Sequence, residues 1–379
     1  MLRRTIADVV RSRLAEFPAV AIVGPRQCGK TTFARTLSKR YFDLEQPEER
    51  VRLDLGWNDL IRQDKPIVLD EAQEWPPVFA RLRGAIDARR SKHGRFLLLG
   101  SVSPALMREV GESLAGRLAV VELTPFLVDE VGPNRFDQLW RFGGFPNGGV
   151  LGARAYPAWQ DSYLQLMAQR DLPNWGLPAK PAVIERLFRM TAALHGSSLN
   201  ASQLGQSLGL SYHTVQSYLD FLEGAYLIRL LRPFEANLKK RLVKAPRLYW
   251  RDSGLLHALL HLGRDAELAS QPWVGASWEG WVVEQILSVR RARGEMLDAY
   301  YFRTHDGLEA DLVLETEAGR EVIEIKLTTS PSPEDFARLA KVADLIKATS
   351  QVLISRTPNN VVTRNRSSVT LEHYLASSE

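Results

Sequence analysis

Cysteine is nearly absent from this sequence, since Cys28 is the single one among 379 residues. One thiol excludes an intramolecular disulfide framework and a cysteine-rich zinc site. Long hydrophobic runs are also missing, and the apolar stretch from Phe17 to Val23 is too short to span a bilayer. Because this stretch leads directly into a glycine-containing loop, we expect a buried strand there and not a signal peptide. We therefore expect a cytoplasmic protein with no membrane partner.

An excess of charge of one sign is lacking as well, because the formal net charge is only +5. The distribution of charge along the chain is therefore more informative than its sum. The apolar and charged fractions are ordinary for a globular protein, and there is no internal repeat that would indicate a solenoid. The length predicts two or three domains.

Short apolar runs alternate with helical patterns over residues 1–125. The runs are Ala19 to Val23, Ile67 to Leu69, Phe96 to Leu99 and Leu118 to Leu123. This alternation predicts an α/β fold in which helices cover a parallel sheet. The Pro- and Gly-rich stretch from Leu172 to Pro181 indicates a boundary, so the first predicted domain is 1–180.

The loop after the first run has the phosphate-loop pattern at every required position. A predicted strand precedes this loop, and a predicted helix starts near Lys30, which is the context that the pattern requires. Backbone N–H groups at a helix N-terminus favour anions, so we expect Lys30 to reach the β- and γ-phosphates of ATP and Thr31 to hold Mg²⁺. The predicted nucleotide-binding residues are Gly24, Pro25, Arg26, Gln27, Cys28, Gly29, Lys30, Thr31 and Thr32.

Two adjacent carboxylates end the second apolar run, about forty residues after the phosphate loop. Asp70 is expected to bind the magnesium shell, and Glu71 to orient or deprotonate the attacking water.

Two further residues are catalytic candidates. Ser101 follows the third run and is a candidate sensor of the γ-phosphate, unless it only marks a strand-to-loop turn. Arg117 is a candidate arginine finger for a neighbouring subunit, with a surface ion pair as the alternative.

The middle of the chain, predicted as a domain over 181–270, has the pattern of a helix-turn-helix. A helix, a turn at Gly209 and an N-cap at Ser211 are followed by a second helix, and Tyr226 to Leu231 is a candidate wing strand. Basic residues then cluster up to Arg251, with aromatic residues between them. The pattern indicates phosphate contacts and base stacking, unless this segment packs on the first domain and its charges are only solvated. The candidate nucleic-acid contacts are His213, Thr214, Gln216, Lys239, Lys240, Arg241, Lys244 and Arg247.

Several motifs together resemble those of bacterial and archaeal AAA-type ATPases that carry an appended C-terminal domain of unknown function. They are Gly24 to Thr32, Tyr41 to Leu44, Leu69 to Gln73, Gly100 and Ser101, Leu114 to Arg117, Gly143 to Pro146, Arg170 to Leu172, Lys240 to Tyr249 and Asp252 to Leu255. The resemblance implies an AAA+-like P-loop core, a winged-helix segment and a small α/β C-terminal domain similar to restriction-endonuclease-like folds. The physiological task does not follow from such a fold.

The last predicted domain, 271–379, holds a small set of acidic residues. Asp311 begins one predicted strand, and Glu324 and Lys326 lie on one face of the next. With Glu279 on the preceding helix, this set is similar to the PD-(D/E)XK nuclease signature, in which two carboxylates bind Mg²⁺ or Mn²⁺ and the lysine helps to activate water. A nuclease-derived scaffold and an unrelated surface cluster are the alternatives.

Three functions are compatible with these features. The leading hypothesis is an oligomeric ATPase, for which a hexameric ring is one assembly, that remodels or translocates on duplex or branched DNA, as in Holliday-junction branch migration. Arg117 or Arg170 would then complete the site of a neighbouring subunit. The second hypothesis is an ATP-gated, metal-dependent DNA nuclease. The third is a nucleotide switch that regulates a protein partner, for which DNA binding would be absent or insensitive to salt.

Overall fold

The first part of the chain folds around a parallel sheet, as the sequence predicts. The structure is a computed structural model that describes residues 2–63, 65–100, 114–235 and 243–377. Within these residues the sheet consists of β1 (Ala19–Val23), β2 (Tyr41–Asp43), β3 (Ile67–Asp70), β4 (Phe96–Leu99) and β5 (Leu118–Glu122). Their order is β2-β3-β4-β1-β5, and every neighbouring pair is parallel. The carboxyl ends of β1 and β3 therefore meet at one edge of the sheet.

Helices cover both faces of this sheet. They are α1 (Ala7–Glu16), α2 (Lys30–Leu37), α3 (Pro47–Leu60), α4 (Pro77–Asp87), α5 (Val128–Val131) and α6 (Phe136–Phe142), with 3₁₀ turns at Ala72–Glu74, Pro133–Arg135 and Ala153–Ala155. All five residues of β1 are buried, and alternate side chains belong to two different hydrophobic cores. Burial on both faces explains why the strand is a continuous apolar run and not an alternating one.

The middle of the chain is helical. Its elements are α7 (Ala158–Leu166), a π-helix (Met167–Asp171), α8 (Leu172–Asn174), α9 (Pro181–Ala193), α10 (Ala201–Leu208) and α11 (Tyr212–Gly224), and α12 (Ser253–Leu259) follows later. The side chains of Asn200 and Ser211 accept hydrogen bonds from the first turns of α10 and α11, which fixes where both helices begin. Gly209 between them has a φ of +70°, which glycine adopts without strain.

A second sheet joins the middle of the chain to its C-terminal part. Its strands are β6 (Ile228–Pro233), β7 (Arg247–Trp250), β8 (Asp298–Arg303), β9 (Glu309–Thr316), β10 (Gly319–Ile325), β11 (Ser350–Ile354), β12 (Val361–Val362) and β13 (Arg366–Val369). In the described residues their order is β12-β13-β11-β10-β9-β8-β6-β7. The strand expected as a wing therefore pairs with β7 on one side, and its end pairs with β8 on the other. This differs from the separate C-terminal unit that the sequence predicts.

The long helix α13 (Val274–Ala292) packs the C-terminal part onto the first sheet domain, and α14 (Pro333–Ile346) and α15 (Leu371–Ser377) complete the fold. Trp281 meets Phe136 edge to face at 4.8 Å, and Trp278 meets Trp140 at 5.0 Å. Residues of α1, β1 and α13 lie in one hydrophobic core. Among the described helices, none is long and apolar enough to cross a membrane.

Candidate functional site

The loop from Gly24 to Thr31, called the phosphate loop below, connects β1 to α2. Gly24 has a φ of +147°, and a Cβ atom there would lie 2.1 Å from the carbonyl oxygen of Leu123, so a side chain cannot fit. Gln27 also has a positive φ, of 62°, although it is not a glycine. Strained backbone of this kind is concentrated at functional sites, because the surrounding structure must hold it. The loop is therefore held in a defined and costly shape.

Lys30 is buried inside this loop. Its Nζ donates hydrogen bonds of 2.9 Å to the carbonyl oxygens of Gly24 and Pro25. The side chain is thus folded back across the loop, and its ammonium group is surrounded by the backbone that would enclose a phosphate. This placement fits the role that the sequence predicts for Lys30.

Thr31 and Asp70 meet where the two motifs converge. The hydroxyl of Thr31 donates a 2.7 Å hydrogen bond to Asp70 Oδ2, and the hydroxyl of Tyr41 donates to the same oxygen at 2.6 Å. Asp70 is 5% exposed. Burial and the bond to Asp70 raise the pKa of Tyr41, so its hydroxyl remains a donor. A threonine hydroxyl beside a buried carboxylate supplies the oxygen ligands that Mg²⁺ takes in phosphate-bound sites, so the residues fit the ion.

Glu71 follows Asp70 at the edge of the cavity. Its φ is 47°, a second strained backbone position in the same site. Gln73 Nε2 donates a hydrogen bond to Glu71 Oε2 and orients the carboxylate. The other amide atom, Gln73 Oε1, is buried without a hydrogen-bond partner among the described residues. The sequence assigned no individual role to Gln73 or Tyr41, although both lie in motifs that carry the family resemblance.

A cavity of about 650 Å³ opens in front of these residues, and its volume lies in the range of small-molecule sites. Both arginines and apolar side chains line it, which suits a ligand with an anionic part and an apolar part. The lining residues outside the motifs include Leu2, Arg3, Arg4, Ala7, Arg11, Phe33, Thr36, Phe126, Pro146 and Asn147. Thr32, the last predicted nucleotide contact, also lines it.

Arg4 connects the N-terminal segment to the phosphate loop through hydrogen bonds. Its guanidinium donates to the backbone oxygens of Cys28 and Thr124 and forms a 3.0 Å ion pair with Glu130. Burial raises the pKa of Glu130, although Arg4 opposes the rise. No local sequence pattern indicates a role for Arg4, because its partners lie far away along the chain.

The acidic residues of the C-terminal part come together around Arg247. The acid cluster is defined here as Glu279, Glu309, Asp311 and Glu324. Arg247 donates at 3.1 Å to both Glu279 and Asp311 and at 3.0 Å to Glu309. Lys326 pairs with Glu324 at 2.6 Å.

Much of this cluster is poorly solvated. Burial and the nearby charge of Asp311 raise the pKa of Glu279 and that of Glu324 to about 8. Glu324 Oε2 is buried and has no hydrogen-bond partner among the described residues. Among the same residues, no group of three His, Cys, Asp or Glu side chains is arranged to hold a metal ion. In this structure Arg247 and Lys326 supply the positive charge that the sequence assigned to a metal.

Comparison with known protein families divides the chain into three matched regions. Residues 16–132 match an AAA domain, residues 133–266 match a domain of unknown function (DUF8612), and residues 274–374 match a second one (DUF4143). Two uncharacterized proteins, from Mycobacterium bovis and Mycobacterium tuberculosis, are each 38% identical to the chain over 345 residues, which is 90% of this chain and 77% of theirs. The chain belongs to the same family as these proteins.

The AAA match contains the phosphate loop, Asp70 and Glu71. An AAA domain implies nucleotide binding and indicates a nucleotide-hydrolysing activity. The crystal structure of protein VC1899 from Vibrio cholerae covers 95% of this chain and 96% of its own, at 13% identity and a TM-score of 0.22. That likeness is too weak to support a conclusion.

The two arginines that were candidates to complete a neighbouring subunit's site have partners within the chain. Arg117 lies just before β5, at the edge of the sheet opposite the phosphate loop, and forms a two-pronged ion pair with Asp87 at 3.0 and 3.1 Å. Arg170, expected to complete a neighbouring subunit's site, donates to Asp171, which also binds Arg26 of this chain's own phosphate loop. Ser101 lies outside the described residues.

The candidate nucleic-acid contacts divide into two groups. His213 and Lys244 are exposed, and Thr214 and Gln216 are half-buried on α11, where Gln216 bonds to Asp220. Arg247 requires a correction, because it is only 5% exposed and is bound to the acid cluster. The sequence shows that Arg247 is charged, but it does not show that its side chain is buried. Lys239, Lys240 and Arg241 lie outside the described residues.

Proposed function

We propose that this protein is an Mg²⁺-dependent ATPase that binds DNA and uses ATP to remodel it. The observation that carries the ATPase part of this proposal is the Thr31–Asp70 contact, because it joins the phosphate loop to the acidic end of β3 in one cavity. These residues are distant in sequence and have the types and order of a P-loop ATPase site. The stability of the fold does not require them to meet in one cavity.

The chemistry follows from the groups in this cavity. The phosphates would take the place of the loop carbonyls as partners of Lys30, whose charge then stabilises the β- and γ-phosphates. Thr31 and Asp70 would hold the metal, which would neutralise part of the phosphate charge when bound. Glu71, steadied by Gln73, would orient the attacking water and accept its proton.

The exposed part of the two helices α10 and α11, called the helix pair below, supports DNA binding. Residues at the start of α11, including His213, are solvent-exposed, and Ser211 fixes this N-terminus through Thr214. A second helix with an exposed N-terminal turn is the element that helix-turn-helix proteins place in the major groove. Lys244, exposed just before β7, adds positive charge to the same part of the chain.

The test is steady-state ATP turnover with single-stranded, duplex and four-way-junction DNA, with Lys30→Ala as the blank. We expect at least one DNA form to stimulate turnover, and we expect a combined His213→Ala and Lys244→Ala variant to lose the stimulation while it keeps basal turnover. Turnover that ignores every DNA would contradict remodelling and favour a nucleotide switch acting on a protein partner.

A nuclease activity is the second candidate, and the unpartnered Glu324 Oε2 beside Glu279 and Asp311 favours it. The contacts of Arg247 with the same acids oppose it. Cleavage of DNA that requires Mg²⁺ or Mn²⁺ and is lost in Glu324→Ala would establish this activity. Intact DNA after prolonged incubation with either metal would exclude it.

A further inference from the structure

One buried carboxylate holds two arginines at the rim of the nucleotide cavity. Asp171 Oδ1 accepts a 2.7 Å hydrogen bond from Arg26 Nη1 and a 2.9 Å hydrogen bond from Arg170 Nε. Arg26 belongs to the phosphate loop and lines the cavity, whereas Asp171 lies 145 residues later in the π-helix. No motif predicts this contact, and the nucleotide chemistry described above does not use it.

The carboxylate is the fixed member of this group. The side chain of Asp171 is 4% exposed, and its neighbours Met167, Ala168 and Leu172 are buried in the core that also contains residues of α10 and α11. The side chain of Arg26 is 29% exposed and faces the cavity. A π-helix within an α-helical stretch is frequently found at functional sites. Of the two partners, Arg26 is the one that can turn towards a ligand.

The charges make Arg26 responsive to a second anion. Two guanidinium groups share a single carboxylate oxygen, so the group of Arg26, Asp171 and Arg170 has a net positive charge. Arg26 and Glu71 both line the cavity, and Glu71 is the carboxylate that would orient the attacking water. On the proposed function the terminal phosphate would lie beside that water, in the same cavity as Arg26.

We infer that Arg26 binds the γ-phosphate of ATP and exchanges Asp171 for that phosphate, so that the Arg26–Asp171 contact distinguishes ATP from ADP. This inference rests on the proposed ATPase function and adds to it a positioning residue, Asp171, which acts through Arg26. Because Asp171 packs with the helix pair, the exchange also connects the occupancy of the γ-phosphate site to the middle of the chain.

The test is a calorimetric titration of Mg²⁺-ADP and of the non-hydrolysable ATP analogue AMP-PNP into the full chain and its variants. Arg26→Ala should weaken AMP-PNP binding about tenfold more than ADP binding, because a charge-assisted hydrogen bond to the γ-phosphate is lost. Asp171→Asn should increase the preference for AMP-PNP, because the competing carboxylate is gone. Arg81→Ala is the control, since Arg81 pairs with Asp54 and does not line the cavity.

A fourth variant keeps the test decisive if Asp171→Asn is found unfolded by circular dichroism. Arg170→Ala leaves Asp171 with Arg26 alone, so it should tighten that pair and lower the preference for AMP-PNP. An Arg26→Ala variant that weakens both nucleotides by the same factor would overturn the inference while the ATPase function stands. A native chain that binds neither nucleotide would overturn both.

Discussion

The hydroxyl of Thr31 donates a 2.7 Å hydrogen bond to Asp70 Oδ2, although 39 residues separate the two positions. Asp70 is the last residue of β3, and Thr31 lies in the first turn of α2, which follows β1. The strands β1 and β3 are not neighbours, since β4 lies between them. Only a parallel order of all three strands brings both carboxyl ends to the same edge. The contact therefore depends on the sheet topology and connects the fold to the chemistry.

Tyr41 should tune the metal affinity of this pair. Tyr41→Phe removes the hydroxyl that donates to Asp70 Oδ2 and leaves the ring in place. Groups that orient a metal ligand commonly change affinity about 10- to 100-fold, so we expect the Mg²⁺ concentration for half-maximal ATP turnover to rise about tenfold. Asp70→Asn should have a larger effect. An unchanged Mg²⁺ dependence in Tyr41→Phe would show that this hydroxyl does not act on the metal site.

Arg251 should be a major determinant of stability. It pairs with Glu122 at the end of β5 and with Glu284 of α13, and Arg229 shares Glu284 at 2.8 Å. Arg251→Ala leaves two carboxylates near one remaining arginine, so we expect the free energy of unfolding to fall by about 3 kcal/mol in urea denaturation. Arg189→Ala breaks the exposed pair with Glu185 and should cost less than about 1 kcal/mol. Equal losses in the two variants would contradict this assignment.

The same ion pairs predict a stability loss in acid. Although burial opposes it, Arg229 and Arg251 lower the pKa of Glu284 to about 2. The unfolded chain therefore binds a proton at Glu284 more tightly than the folded chain does, and the stabilisation is present above about pH 4.5 and lost as the pH falls towards 2. Denaturation midpoints measured from pH 6 to pH 3 should fall. Glu284→Gln should reduce that fall.

The acid cluster should have the opposite effect at higher pH. Burial and Asp311 raise the pKa of Glu279 and Glu324 to about 8, so the folded chain holds these protons more tightly than the unfolded chain. Their contribution to stability is complete below about pH 4.5 and is lost as the pH rises towards 8. Urea denaturation from pH 5 to pH 9 measures this loss. Glu324→Gln should flatten the profile, and an identical profile would contradict the assignment.

Much of the nucleotide site could be predicted from sequence because its signals are local. The structure places β1 at Ala19–Val23, with the bounds that the apolar pattern predicts. The phosphate loop needs glycines and a lysine at fixed offsets, so a short segment specifies it. The same holds for a buried strand that ends in two acids.

Other parts of the site could not be predicted because they depend on long-range contacts. Arg4 and Asp171 both contact the phosphate loop from distant segments, and neither the sequence around Arg4 nor the motif that contains Asp171 indicates that contact. Arg247 lies in a run of basic residues that is typical of a solvent-exposed surface. In β7, however, its side chain is buried and pairs with Asp311 of the acid cluster. The pairing of β6 with β8 joins segments about 70 residues apart, and no local pattern encodes it.

The most direct test of the central claim is a paired measurement of ATP binding and ATP turnover in the native chain, Lys30→Ala and Glu71→Gln. We expect the native chain to hydrolyse ATP, and both variants to lose turnover by about 100-fold or more. Glu71→Gln should still bind ATP, because it loses the base but keeps the phosphate loop. A native chain without turnover, or a Lys30→Ala variant that hydrolyses ATP at the native rate, would contradict the account.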